Sequence, residues 1–166
     1  MTTKQILLGT TNKGKLREFD AMLAAHLPQH WALIGPQQLG EPLPDVVEDR
    51  DTFHGNAAKK ALELSERFGC AVLAEDSGLI VDALGGEPGV YSARWSGTHG
   101  DDAANNRKLI ARMTALPASA PRSARYAATI CLAFLDDALG AQVLSALGAT
   151  WGSLPEGYPE AAATAH

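Results

Sequence analysis

The run Cys70-Ala71-Val72-Leu73-Ala74 constrains this chain more than any other segment. It is short and continuously apolar, without the polar alternation of a half-exposed strand, which marks a strand buried on both faces of an α/β sheet. Such a strand needs helices to cover it, and the residues just before it supply one. Asp51 and Thr52 offer an N-terminal cap, Ala57, Ala58, Ala61, Leu62, Leu64, Ser65 and Phe68 give a small, apolar helix surface, and Gly69 closes it. The run meets two acids, Glu75 and Asp76, and Ser77-Gly78 reads as the end of the strand there.

The same strand and helix order opens the chain. Gln5-Ile6-Leu7-Leu8-Gly9 is an apolar run of strand length, followed by Thr10-Thr11-Asn12, whose hydroxyl and amide groups suit a helix cap. Leu16, Phe19, Leu23 and Leu27 then recur at three- and four-residue intervals until Pro28. Gly35, Pro36, Gly40, Pro42 and Pro44 make residues 35 to 50 a loop or short irregular strand. A glycine-rich stretch from Gly78 to Gly97 leads to a further helix through Asn105, Leu109, Ile110 and Met113, with Asp101 or Asp102 at its start. Ser123 to Leu135 reads as strand. Beyond Gly140, Gly148, Gly152, Pro155, Gly157 and Pro159 are expected to break any long element.

At 166 residues, 46% hydrophobic and 20% charged, the chain is expected to form one domain with one sizeable core. No apolar stretch reaches the length of a membrane span and the N-terminus has no signal-peptide pattern, so no membrane partner and a cytoplasmic location are the expectations. A net charge of −5 argues against broad nucleic-acid binding, which needs clustered cations. A small phosphorylated ligand needs only a few local cations, backbone N–H groups and a metal. Cys70 and Cys131 sit in apolar runs without C-x-x-C spacing and read as core residues. The five histidines show no metal-ligand spacing, and no G-x-S-x-G elbow is present.

Three segments have the residue types for chemistry, and each has two readings. Thr10, Thr11, Asn12, Lys13, Gly14 and Lys15 lie between a strand and a helix start, where unpartnered N–H groups and the helix dipole bind phosphate; taken alone, a capped helix with solvated lysines is the more ordinary reading. The acids Glu48, Glu75 and Asp76 are the oxygen ligands Mg²⁺ prefers, or a solvated strand end. Adjacent strand residues face opposite ways, so Glu75 and Asp76 share a site only where the strand ends. Gly85-Gly86-Glu87-Pro88-Gly89-Val90-Tyr91-Ser92-Ala93-Arg94 fixes a backbone path, either lining a ligand cleft or making a tight connection with Tyr91 on the core and Arg94 at the surface.

Taken together and in order, TTNKGKLREF, DTFHGNAAKKA and AEDSGLIVDALGGEPGVYSARWSG resemble the inosine/xanthosine-triphosphate pyrophosphatase family, over roughly residues 4 to 135. The resemblance implies an α/β fold, a central mixed twisted sheet flanked by helices with an active-site cleft between two lobes, and a homodimer. It implies Mg²⁺-dependent hydrolysis of non-canonical purine nucleoside triphosphates, those of inosine, deoxyinosine and xanthosine, to the monophosphate and pyrophosphate. By motif, Thr10 to Lys15 bind the phosphates, Lys60 adds a cation, Ser77 contacts substrate, and Asp76 is the catalytic acid and metal ligand, with Glu48 and Glu75 as further metal-site acids. Two features depart from the family pattern. Gly55 stands where many relatives carry an acid, and the region from about residue 140 lacks the family's G-F-G-Y-D-P segment, later lysine and Ser-His-Arg motif, which hold the purine base. A truncated ending without the base pocket is therefore expected, and a phosphate-binding remnant of the same fold is the alternative to an active enzyme.

Overall fold

The computed structural model describes residues 3–23, 25–136 and 140–153. Five strands form one sheet in the order β2-β1-β3-β4-β5, where β1 is Lys4–Leu8, β2 Trp31–Ile34, β3 Ala71–Val81, β4 Ser123–Asp136 and β5 Gly140–Ser153. β1 runs parallel to both neighbours, pairing Lys4 with Trp31 and Ile6 with Ala71. β4 and β5 are sheet neighbours separated by three residues, from Asp136 to Gly140, too few for a parallel crossover, so they are antiparallel. The sheet is therefore mixed, as expected.

Three helices accompany it: α1, Lys13–Leu23; α2, Phe53–Phe68; and α3, Asp102–Thr114. α2 begins and ends where its residues dictate. Thr52 Oγ1 accepts the Gly55 N–H at 3.0 Å, and Gly69 adopts a left-handed conformation (φ 62°) and returns its N–H to Ser65. Asp101 caps α3 through the Ala104 N–H at 2.9 Å. α1 stops short of the expected reach to Pro28. The N–H groups of His26 and Leu27 both turn back to the Leu23 carbonyl, closing the helix a turn early.

Backbone proximity divides the chain into two compact units. The first comprises the described residues within Met1–Asp76 and Thr129–Leu147, the second those within Ser77–Ala128 and Gly148–His166. In the first, Leu7, Ile34, Leu64 and Val72 pack together, and Ala57 and Ala61 of α2 meet Ala74, Cys131 and Ala133 of the sheet. Alanines on both sides explain how α2 lies close against β3. In the second, Leu109 and Met113 of α3 pack on Val81, Leu84 and Ala124. Cys131 is fully buried and Cys70 half-buried; both thiols are free, and burial pushes both above the ordinary thiol range. Among the described residues, no helix is long and apolar enough to cross a membrane.

Two expectations are corrected. β3 does not end at Glu75-Asp76 but continues through Ser77-Gly78 to Val81, with burial alternating along its length. Gly78 is not a turn signal. A Cβ there would lie 2.6 Å from the Gly89 carbonyl oxygen and 2.3 Å from Ser92 Oγ, so the glycine admits the segment that folds back on the strand. That segment is pinned by an Ile80–Pro88 bridge and by Ser92 Oγ, which accepts the Leu79 N–H at 2.9 Å and donates to the Gly89 carbonyl at 2.6 Å. It is a tight connection, but Tyr91 is exposed rather than packed on the core, with the Arg94 guanidinium 5.3 Å from its ring centre. The second correction is β5, a strand of 14 residues where glycines were expected to break any long element. It is the last strand in the sheet order, and Gly148 lies within it with no heavy atom within 4 Å of where a Cβ would stand. Glycine lowers strand propensity without forbidding extension. Pro155, Gly157 and Pro159 lie outside the described residues.

Gly78→Ala is expected to lower stability by about 1–3 kcal/mol, since backbone as well as side chain must give way. Gly40→Ala, with open space around it, is expected to stay within about 0.5 kcal/mol of the parent. Urea unfolding of both variants checks the contrast; equal stabilities would remove the close-approach explanation of Gly78.

Candidate active site

The turn from β1 into α1 is built around Asn12. Its Oδ1 accepts the N–H groups of Gly14 (2.8 Å) and Lys15 (3.2 Å), while its own N–H reaches Thr10 Oγ1 at 3.2 Å. Of the two readings of this segment, helix capping is realised, and it already occupies two of the amides at the helix start. Thr11, Asn12 and Lys13 are exposed, and Thr10, Gly14 and Lys15 half-buried, so the segment presents its polar groups to solvent. Gly9 before it carries no side chain because a Cβ would meet Leu64, Val72 and Ala74 at 3.0–3.3 Å.

Lys15 leaves α1 to form an ion pair with Glu75 of β3. Lys60 of α2 forms a second pair with Glu48, and its ammonium also reaches the Glu75 carbonyl oxygen at 3.4 Å. These contacts bring four of the sequence-predicted residues into two neighbouring pairs. Asp76 takes a different partner. Its Oδ2 accepts a hydrogen bond from Asn56 Nδ2 at 2.9 Å, with Asp76 7% exposed and Asn56 1%. Asn56 Oδ1 in turn accepts the Arg50 N–H at 2.9 Å, so one buried amide joins the loop before α2 to the carboxylate on β3. Among the described residues, no three His, Cys, Asp or Glu side chains converge into a ready-made metal cage.

Gly55 is fixed by its surroundings. A Cβ there would stand 2.8 Å from Arg50 Cβ and 3.0 Å from Thr52 Oγ1, so any side chain at this position would have to displace that of Arg50. Lys59, next to Lys60, is engaged elsewhere: it donates to the Val47 carbonyl at 2.7 Å and to Asp49 at 2.9 Å. The hydrogen bond from Lys59 holds the Asp49 carboxyl below its ordinary range.

In the second unit, Ser77 Oγ lies 2.9 Å from the Tyr126 hydroxyl of β4. That unit also contains a cavity of about 260 Å³, bordered by Leu79, Pro88, Ser92, Trp95, Asp102 and Asn105; Pro88 and Ser92 belong to the glycine-rich segment expected to line a cleft or make a tight connection, whereas none of the phosphate- and metal-site residues expected from the sequence lines it. Sequence reasoning missed Asn56 and Tyr126. Asn56 had a signal: it is a polar residue beside the alanines of the buried α2 surface, and it precedes Lys60 by four residues, one helical turn. Tyr126 had none, because its role depends on which residue of β3 lies beside it.

The chain is similar in sequence and fold to known proteins. A protein of Rhodopirellula baltica named dITP/XTP pyrophosphatase is 49% identical over 127 residues, a match spanning 76% of this chain and 59% of the relative. One of the same name from Oceanobacillus iheyensis is 43% identical over 130 residues, 78% of this chain and 64% of the relative. The chain thus spans about six tenths of the length of these curated relatives. Among solved structures, the nucleoside-triphosphatase (dITP/XTP pyrophosphatase) from Mycobacterium abscessus superposes with a TM-score of 0.73 at 36% identity, covering 90% of this chain and 74% of that one. A HAM1 protein from Coxiella burnetii gives 0.76 at 30% identity, covering 91% and 73%. The model of the Ham1 family matches residues 6–158, nearly the whole of the sequence that builds the sheet and both lysine–carboxylate pairs, and the chain belongs to that family.

Proposed function

We propose that this chain hydrolyses non-canonical purine nucleoside triphosphates, those of inosine, deoxyinosine and xanthosine, to the nucleoside monophosphate and pyrophosphate. The carrying observation is the buried Asp76 carboxylate fixed by Asn56, on the strand whose preceding residue, Glu75, holds Lys15 and meets Lys60. An oriented carboxylate one residue along the strand from the lysine contacts suits the approach of water to a phosphate. The relatives named dITP/XTP pyrophosphatase support the substrate class.

The donor set fits Mg²⁺. Asp76 and Glu48 offer hard oxygen donors, and Glu75, which leaves the continuing strand from the opposite face to Asp76, would reach such an ion only through a water; Mg²⁺ is typically held by one or two carboxylates together with substrate phosphates and waters rather than by an all-protein cage. When bound, it would supply charge neutralisation on the phosphates and on the leaving pyrophosphate. Asp76 is the principal ligand and the base that orients the attacking water and accepts its proton, with one oxygen held in place by the Asn56 amide. Water adds at the α-phosphorus, the bond from that phosphorus to the bridging oxygen breaks, and pyrophosphate leaves with that oxygen. Lys15 and Lys60 hold phosphate oxygens, Thr10 to Gly14 border the phosphates, and Ser77, oriented by Tyr126, contacts substrate. The family resemblance further suggests a cytoplasmic homodimer in which residues 1 to 166 act as one pyrophosphatase domain.

Purified protein incubated with Mg²⁺ and the triphosphates of inosine, xanthosine, guanosine and a pyrimidine is expected to release pyrophosphate from the first two. Absence of release from all four would sink the proposal and leave the phosphate-binding remnant. Asp76→Asn is expected to reduce turnover by about 10²–10⁴-fold, the usual share of a general base, with the fold retained by circular dichroism. Undiminished turnover in that variant would refute the assigned role. Asn56→Ala leaves the Asp76 carboxylate and the Arg50 N–H without this partner. It is expected to cost about 1–3 kcal/mol in urea unfolding and to lower kcat; wild-type values for both would show the amide to be dispensable.

A further inference from the structure

We infer that the two lysine–carboxylate pairs are a partner-exchange device: Lys15 and Lys60 occupy Glu75 and Glu48 until phosphate and metal arrive together. The inference rests on the proposed function and adds a binding rule to it. Each lysine is on a carboxylate, Lys15 on Glu75 and Lys60 on Glu48. Both pairs are partly buried, with side-chain exposures of 34% and 9% in the first and 18% and 21% in the second, so solvent screens them less than surface pairs. A divalent cation alone must displace an ammonium from each acid it approaches, and that ammonium is left without its counter-charge. A polyphosphate alone must draw a lysine away and leave a partly buried carboxylate unbalanced. Each ligand alone therefore meets a cost that the other removes.

When both arrive, the charges re-pair without remainder. The lysines turn to phosphate oxygens, and the carboxylates turn to the metal or to the waters that Mg²⁺ retains. No proton moves and no covalent bond changes. The coupling is reciprocal by linkage: whatever factor phosphate adds to metal affinity, metal adds to phosphate affinity. Lys59 provides an internal contrast. It is adjacent to Lys60 and carries the same charge, but it is held by Asp49 and the Val47 carbonyl rather than by a site carboxylate.

The test is metal binding without substrate. Mn²⁺ is titrated into the full chain and followed by its free-ion paramagnetic resonance signal, with no phosphate present. Lys15→Gln and Lys60→Gln are each expected to bind Mn²⁺ about three- to tenfold more tightly than the parent, because a site carboxylate is released, the range expected of a partly buried pair. Lys59→Gln makes the same change in net charge but releases Asp49, a half-exposed carboxylate that is not one of the site acids, and is expected to leave Mn²⁺ affinity within about twofold. The complementary arm titrates tripolyphosphate in the absence of metal. Glu75→Gln is expected to bind it more tightly than the parent, and Glu63→Gln, on the exposed side of α2, is not.

Unchanged or weaker Mn²⁺ binding in both Lys15→Gln and Lys60→Gln, or an equal gain in Lys59→Gln, would overturn partner exchange. Circular dichroism of each variant shows that a folded protein is being titrated. Failure here with pyrophosphate release intact would remove only the exchange rule, whereas tighter Mn²⁺ binding without release would keep the exchange and remove the enzyme.

Discussion

A buried carboxylate is costly to fold around, and the position of Asp76 depends on the hydrogen bond that makes it tolerable. Asn56 Nδ2 donates to Asp76 at 2.9 Å, and Asn56 Oδ1 accepts from the Arg50 backbone at the same distance. The amide can serve both partners only because the first turn of α2 is fixed, which is the work of Thr52 capping the Gly55 N–H. α2 in turn lies close to β3 because alanines face alanines: Ala57 and Ala61 meet Ala74, with Cys131 and Ala133 beside them. A larger side chain at either alanine would push the helix away and pull the amide from the carboxylate. The small residues of α2 are thus a condition of the site as well as of the core.

Charge follows the same economy of position. Lys15, Glu75, Lys60 and Glu48 come from α1, β3, α2 and the loop before α2, yet they form two pairs, with the Lys60 ammonium also reaching the Glu75 carbonyl. The burial alternation of β3 sends consecutive side chains to opposite faces, and Glu75 and Asp76 accordingly take different partners, a lysine and an amide. The two acids are therefore not equivalent. One is tied to a cation, and the other is held in orientation by a neutral group.

Much of this was legible in the sequence where a local pattern determines a local structure. The caps at Thr52 and Asp101, the stop at Gly69 and the strands starting near Lys4, Ala71 and Ser123 follow from residues acting on their neighbours. Where reading failed, the deciding contact was distant. Ser77-Gly78 looks like a strand end, but β3 continues between β1 and β4, and Gly78 is there because Gly89 and Ser92 press against it. Glycines in β5 looked like breaks, but a strand at the last position in the sheet has less to pack against. The acids and lysines were identified by motif, whereas their pairing depends on helices and strands meeting in space. Tyr126 became visible only once those meetings were known, whereas Asn56 had a local signal as a polar residue beside the alanines of α2.

A net charge of −5 does not by itself make this chain a poor host for a polyphosphate. Repulsion from the distant acids matters little, because at physiological ionic strength it is screened beyond about 8 Å. What an arriving triphosphate meets is set by the few groups within that distance. At Lys15 and Lys60 those groups are already charge-balanced by Glu75 and Glu48, so the ligand-free site is neither strongly cationic nor strongly anionic. Such a site has little attraction for free anions or free cations, which are abundant wherever nucleotides are. Under the proposed exchange it favours a ligand that brings both signs together, as a triphosphate carrying a divalent cation does. On this argument selectivity for the metal complex begins in the pairing of side chains before any phosphate has been touched.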